Sequence, residues 1–111
     1  MSVWSPASID EIPELRLARW SIREVQPRGT RHLVGYNQTE DEGRVSSTIA
    51  AYDPERRRAM TESGRVYELM GRPGHDGDAE YVWRAWLRLL GEAVTWHDVT
   101  DEYVPKAADR E

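Results

Sequence analysis

The chain has 111 residues and no cysteine, and its 20 acidic and 15 basic residues give a formal net charge of −5. We therefore expect a single domain over residues 1–111, with no disulfide framework and no thiolate metal site. The mild acidity argues against broad, salt-driven DNA binding, which needs a basic face.

The two ends of the sequence carry few structural signals. Residues 1–14 contain two prolines and show no period, which predicts an irregular N-terminal arm. Residues 105–111 are polar, and we expect a frayed tail there. The start lacks a basic region followed by a long apolar run, so we expect neither a signal peptide nor a membrane anchor. Together with the absence of cysteine, this favours a cytoplasmic protein.

Alternating apolar and polar residues predict strands in the first two thirds of the chain. Residues 15–25 alternate around Trp20, and a break in their parity indicates a bulge or a strand end. A turn at 27–30 joins this strand to a second one at 31–37, as in a hairpin. Further strands are predicted at 44–52, around 60–62 and at 65–70, and residues 94–104 form either a last edge strand or a capping turn.

One amphipathic helix is predicted over residues 78–90. Glu80 lies four residues before Arg84 on the polar face, the spacing that a helical ion pair prefers. Asp76 and Asp78 provide capping oxygens, and Gly91 suits a left-handed stop. The apolar face consists of Ala79, Val82, Trp83, Trp86, Leu87 and Leu90. These elements predict an α+β domain, in which an antiparallel sheet of four to five strands carries the helix on one face and the tryptophans fill the space between them.

Two strings suggest chemistry, but each has a simpler structural interpretation. His75, Asp76 and Asp78 could converge on a divalent metal, yet the two aspartates already serve as helix caps. His97 beside Asp98 could act as a general base, but no nucleophile motif accompanies the pair. We therefore predict no catalytic residue, no metal site and no cofactor.

Charged and aromatic clusters are the better candidates for binding a partner. Arginine is bidentate and aromatic side chains anchor interfaces, so such clusters favour recognition of another macromolecule. With five tryptophans, five tyrosines and no phenylalanine, at least one tryptophan should be partly exposed. The predicted partner-binding residues are an arginine group, Arg56, Arg57, Arg58, Arg65 and Arg72, an acidic loop, Glu40, Asp41 and Glu42, and the segment Trp96, His97 and Asp98.

The stretch GRVYELMGRPG, followed by DAEYVW and Trp86, resembles small accessory proteins of prophages and mobile elements over roughly residues 44–100. In size and acidity the chain also resembles anti-CRISPR proteins. The resemblance implies a non-enzymatic inhibitor that binds a host protein or ribonucleoprotein complex stoichiometrically, without a cofactor. It assigns no role to any residue, because that class shares no common motif.

Two other functions remain open at the level of sequence. One is a nucleic-acid-binding accessory protein that uses the arginine group with aromatic stacking. The other is a small metal-dependent enzyme that uses His and Asp residues. A homodimer formed through an edge strand is as compatible with the sequence as a monomer.

Overall fold

Strand β1, Glu14–Gln26, runs through the middle of the fold and is 13 residues long. The computed structural model describes residues 14–91 and 93–104, so the predicted tail, and all of the predicted arm except its last residue, lie outside the described residues. The remaining elements are β2 Thr30–Asn37, β3 Glu42–Val45, β4 Ile49–Asp53, β5 Arg58–Thr61, β6 Val66–Leu69, helix α1 Gly77–Leu89, β7 Thr95–Asp98 and a 3-10 turn at Thr100–Glu102.

The strands form one mixed sheet of seven strands in the order β3-β2-β1-β6-β5-β4, with β7 also paired to β1. One edge of β1 is shared, because its first residues pair with β6 in parallel and its last residues pair with β7 antiparallel. The α+β class with one helix is confirmed. The prediction of four to five antiparallel strands was wrong in number and in the direction of β6, since alternation marks a strand but not the direction of its partner.

The strand predicted at 44–52 is two strands, β3 and β4, separated at Ser46. The Ser46 hydroxyl accepts a hydrogen bond from the Leu33 amide at 2.9 Å and donates one to the Ser47 carbonyl at 2.6 Å. Serine side chains compete with the backbone in this way. The chain therefore leaves β2 here and crosses to start the β4–β5 hairpin.

The parity break in β1 is a bulge, which is one of the two predicted alternatives, and not a strand end. The register with β2 shifts between Ala18 and Ser21, and Arg19 within the shift has a positive φ of 46°. The extra residue changes which positions face each side of the sheet. It keeps Leu15, Leu17, Trp20 and Ile22 in one apolar cluster, whereas Val25 packs with the helix on the other face.

Helix α1 lies on the β2–β3 side of the sheet. Asp76 caps it, with a carboxylate oxygen that accepts from the Ala79 amide at 3.0 Å, and Gly91 follows it with a φ of +68°. Trp83 is buried between helix and sheet and Trp86 is half-buried beside it, which confirms the predicted role of these tryptophans. No helix in the described part of the chain is long and apolar enough to span a membrane.

Candidate partner-binding surface

A buried arginine organises the side of the molecule where β1, β7 and α1 meet. Arg23 is 1% exposed, and its two terminal nitrogens both donate to the Glu80 carboxylate, one of them to Oε1 at 3.0 Å. Its Nε donates to Ser21 Oγ at 3.1 Å. The hydrogen bonds that Glu80 accepts from Arg23 hold the pKa of Glu80 below its usual value, against the opposing effect of burial. A buried charge of this kind is tolerated only with such a partner.

Two tryptophans cover the guanidinium of Arg23. Its Cζ lies 4.6 Å from the ring centre of Trp96 and 5.2 Å from that of Trp83, and the two indoles meet edge to face at 5.4 Å. Trp96 is nevertheless 41% exposed, which confirms that at least one tryptophan is partly exposed. Its ring is therefore fixed from behind by a cation and a second indole while its outer side meets solvent.

Strand β7 leaves a free edge beside this ring. All four of its residues are exposed, and within the described residues it pairs with β1 alone. Val99, directly after β7, donates its amide to the Ile22 carbonyl at 2.8 Å. Hydrogen-bonded pairs alternate along an antiparallel ladder, so the backbone groups of Trp96 and Asp98 point away from β1. An edge of this kind can pair with another chain.

His97 and Asp98 are neighbours in sequence but do not form the general-base pair considered above. The His97 ring lies 3.3 Å from Glu24, whereas Asp98 accepts from the Thr100 amide at 2.8 Å. Glu24 also accepts from Arg31 at 2.9 Å, and this hydrogen bond is the main reason that its pKa is lowered. The side chains of His97 and Asp98 therefore serve separate contacts of a surface strand.

The predicted arginine group does not form one positive patch. Arg65 is buried, Arg58 pairs with Glu14 at 2.7 Å, and Arg57 donates to the Gly71 carbonyl at 2.8 Å. Arg56 lies at the β4–β5 turn, where its guanidinium is 4.0 Å from Asp53, and Arg72 is exposed in the loop after β6. Most arginines of this group therefore contact other residues of the chain, although the sequence suggested that they were available to bind a partner.

The acidic loop is held within its own hairpin. Glu40 and Glu42 lie 3.8 and 3.3 Å from the Arg44 guanidinium, and Asp41 accepts a hydrogen bond from the Tyr36 hydroxyl. The loop thus pairs with Arg44, an arginine of β3. The negative charges of Glu40 and Glu42 are therefore partly balanced by Arg44 within the protein itself.

The metal interpretation of residues 75–78 gains no support from the geometry. Asp76 caps α1 and also accepts two hydrogen bonds from Arg19, at 3.1 and 3.0 Å. Across residues 14–91 and 93–104, no group of three His, Asp or Glu side chains is close enough together to hold a metal ion.

The outer face of α1 is a second exposed feature, which the sequence reasoning did not select. Tyr81 is 64% exposed and Leu89 is 85% exposed. Glu80, predicted to pair with Arg84 on this face, accepts hydrogen bonds from Arg23, and Arg84 acts on the Glu80 carboxylate only through its charge. The signal in the sequence was two large apolar residues eight positions apart, outside the stripe that faces the core.

Comparisons of the chain with protein-family models, with curated proteins and with solved structures find no match.

Proposed function

We propose that the chain is a non-enzymatic protein-binding module whose contact surface is centred on Trp96. The observation that carries this proposal is an indole held from behind by Arg23 and Trp83 and open to solvent on an edge strand. Tryptophans in such fixed settings dominate the binding energy of protein interfaces, because little side-chain freedom is lost on association.

The free edge of β7 supports the same proposal. Trp96 and Asp98 direct backbone groups away from β1, so a partner strand would find hydrogen-bonding groups directly beside the indole. The dispersed and paired arginines make nucleic acid a weaker candidate, since phosphate binding needs several unpaired cations on one face. The resemblance to anti-CRISPR proteins makes the effector ribonucleoproteins of host defence systems the first partners to examine, with stoichiometric inhibition as the mode of action.

The experiment is co-elution of the full chain with purified CRISPR effector complexes on size exclusion, followed by titration of any complex found. Trp96→Ala should weaken binding by about 30-fold or more, the loss typical of an interface hot spot. Met60→Ala is the matched control, because Met60 is a comparably exposed apolar residue, 44%, on the distant strand β5. It should change affinity by less than about threefold.

Two outcomes bear on different parts of this proposal. No complex with any effector would remove the anti-CRISPR interpretation. A complex that Trp96→Ala leaves intact, in a variant that unfolds at the same denaturant concentration as the parent, would remove the proposed surface.

A further inference from the structure

The outer face of α1 carries an apolar stripe whose two large side chains, Tyr81 and Leu89, are exposed, with half-buried Ala85 between them. Tyr81, Ala85 and Leu89 lie at positions i, i+4 and i+8, which places them on one side of the helix, over two turns. Tyr81 and Leu89 are two of the four large apolar side chains that are exposed among the described residues, and Trp96, on the neighbouring β7, is a third. Exposed apolar surface is therefore concentrated on this side of the molecule.

Arg84 and Arg88 border the stripe, and among the described residues neither guanidinium lies within salt-bridge distance of a carboxylate. Arg84 acts on Glu80 through its charge alone, which is the smallest of the causes that lower the Glu80 pKa. Glu80, the natural helical partner of Arg84, is already bound by both terminal nitrogens of Arg23. Two like charges four residues apart destabilise a helix. Arg88 recovers some of that loss through the helix dipole because it lies in the last turn, but Arg84 lies in the middle of the helix.

We propose that this outer face of α1 docks an acidic segment of a partner protein, with apolar side chains seated on Tyr81 and Leu89 and carboxylates on Arg84 and Arg88. The inference rests on the proposed function, since it names the chemistry of the target. The argument is charge complementarity. Two neighbouring guanidinium groups that form no salt bridge among the described residues favour carboxylates, which arginine binds bidentately.

A second copy of this chain is a poor occupant of the same face. A two-fold antiparallel pairing of α1 about Ala85 would bring Tyr81 against Leu89 of the other copy. The same symmetry sets equivalent flanks of the two helices against each other, so the arginines of one copy would lie against those of the other. Like charges at the centre of an interface are unfavourable, so the charges select a partner of different sequence.

The probe is a fluorescein-labelled helical peptide of about 20 residues with Leu and Ala on one face and Glu on both flanks. Its binding to the full chain is followed by fluorescence anisotropy at low salt. We expect saturable binding that weakens as salt is added, and no binding of the matched peptide in which every Glu is Lys. The probe is independent of any effector complex, so its outcome and that of the Trp96 experiment can be told apart.

The variants test whether the binding is located on α1. The double variant Arg84→Glu/Arg88→Glu should lose about tenfold or more in affinity, and Leu89→Ser should weaken binding at every salt concentration. Arg16→Glu/Arg28→Glu makes the same change in net charge at other exposed sites and should stay within about threefold. Arg84→Gln/Arg88→Gln repeats the test without introducing a negative charge beside Glu80.

Three results would overturn the inference. One is no binding of the acidic peptide at about 0.2 mM protein. Another is equal loss in the two double charge-reversal variants, which would mean non-specific attraction. The third is a dimer in sedimentation that Leu89→Ser dissolves, which would assign the stripe to a second copy of the chain.

Discussion

Removal of the Glu80 carboxylate is expected to destabilise the fold by about 3 kcal/mol. Arg23 is 1% exposed, so Glu80→Ala leaves its guanidinium buried between two indoles, with Ser21 Oγ as its remaining hydrogen-bond acceptor. Loss of one partner from a buried ion pair costs about 3–5 kcal/mol. The lower end of that range applies because the Glu80 side chain is 26% exposed, and water can enter the space that it leaves.

The assay is urea unfolding followed by tryptophan fluorescence. At a slope of about 1–2 kcal/mol per molar urea, this loss lowers the midpoint by about 1.5 M or more. Arg23→Met/Glu80→Ala should be more stable than Glu80→Ala, since the double variant no longer buries an unpaired charge. Glu102→Ala is the control, because its 60% exposed carboxylate pairs with Arg31 at the surface, and it should cost less than about 1 kcal/mol. The reasoning fails if Glu80→Ala costs no more than this control, or if the double variant is less stable than Glu80→Ala.

Two further predictions concern a close backbone contact and a buried imidazole. Gly43→Ala should destabilise by about 2 kcal/mol or more in the same urea assay, because the new Cβ would lie 2.4 Å from the backbone of the first turn of α1. Gly77→Ala, with nothing within 4 Å of its new Cβ, should be neutral, and equal losses would contradict the argument. Burial lowers the pKa of His32 below its usual 6.5, so the contribution of its neutral form is complete above pH 6.5 and is lost as pH falls from there through the lowered pKa. Urea midpoints should therefore fall between pH 7.5 and 5 in the parent and less in His32→Gln, and identical slopes in the two proteins would count against the burial argument.

The fold was predictable where the signal is local. Capping oxygens, apolar spacing and a terminal glycine together define α1, and each of these acts within one or two turns. The bulge in β1 was also readable, because Leu17 and Trp20 differ in parity although both belong to the apolar cluster. The parallel pairing of β1 with β6 could not be predicted. It joins segments about 50 residues apart, and the alternating pattern of a strand does not indicate whether its neighbour runs parallel or antiparallel to it. The break at Ser46 depends on the Leu33 amide of another strand, which a strand pattern cannot anticipate.

The candidate surface was harder to predict, because charge pairing is decided by tertiary contacts. A local rule pairs Glu80 with Arg84, but a buried arginine on β1 offers the carboxylate two hydrogen bonds in a dry environment. Charge-assisted bonds in such an environment outweigh an exposed helical pair, which is worth a few tenths of a kcal/mol.

The same competition explains why the arginine-rich stretch was a misleading guide to the surface. Arg58 is paired by Glu14 and Arg57 by a backbone carbonyl, so a run of like charges in sequence leaves little free charge in space. By contrast, Arg84 forms no salt bridge within the part of the chain that the structure describes, because the Glu80 carboxylate accepts its hydrogen bonds from Arg23. The buried pair therefore acts on the surface in two ways. Arg23 holds the ring of Trp96 from behind, and the Arg84 guanidinium on α1 is left for an acidic partner to bind.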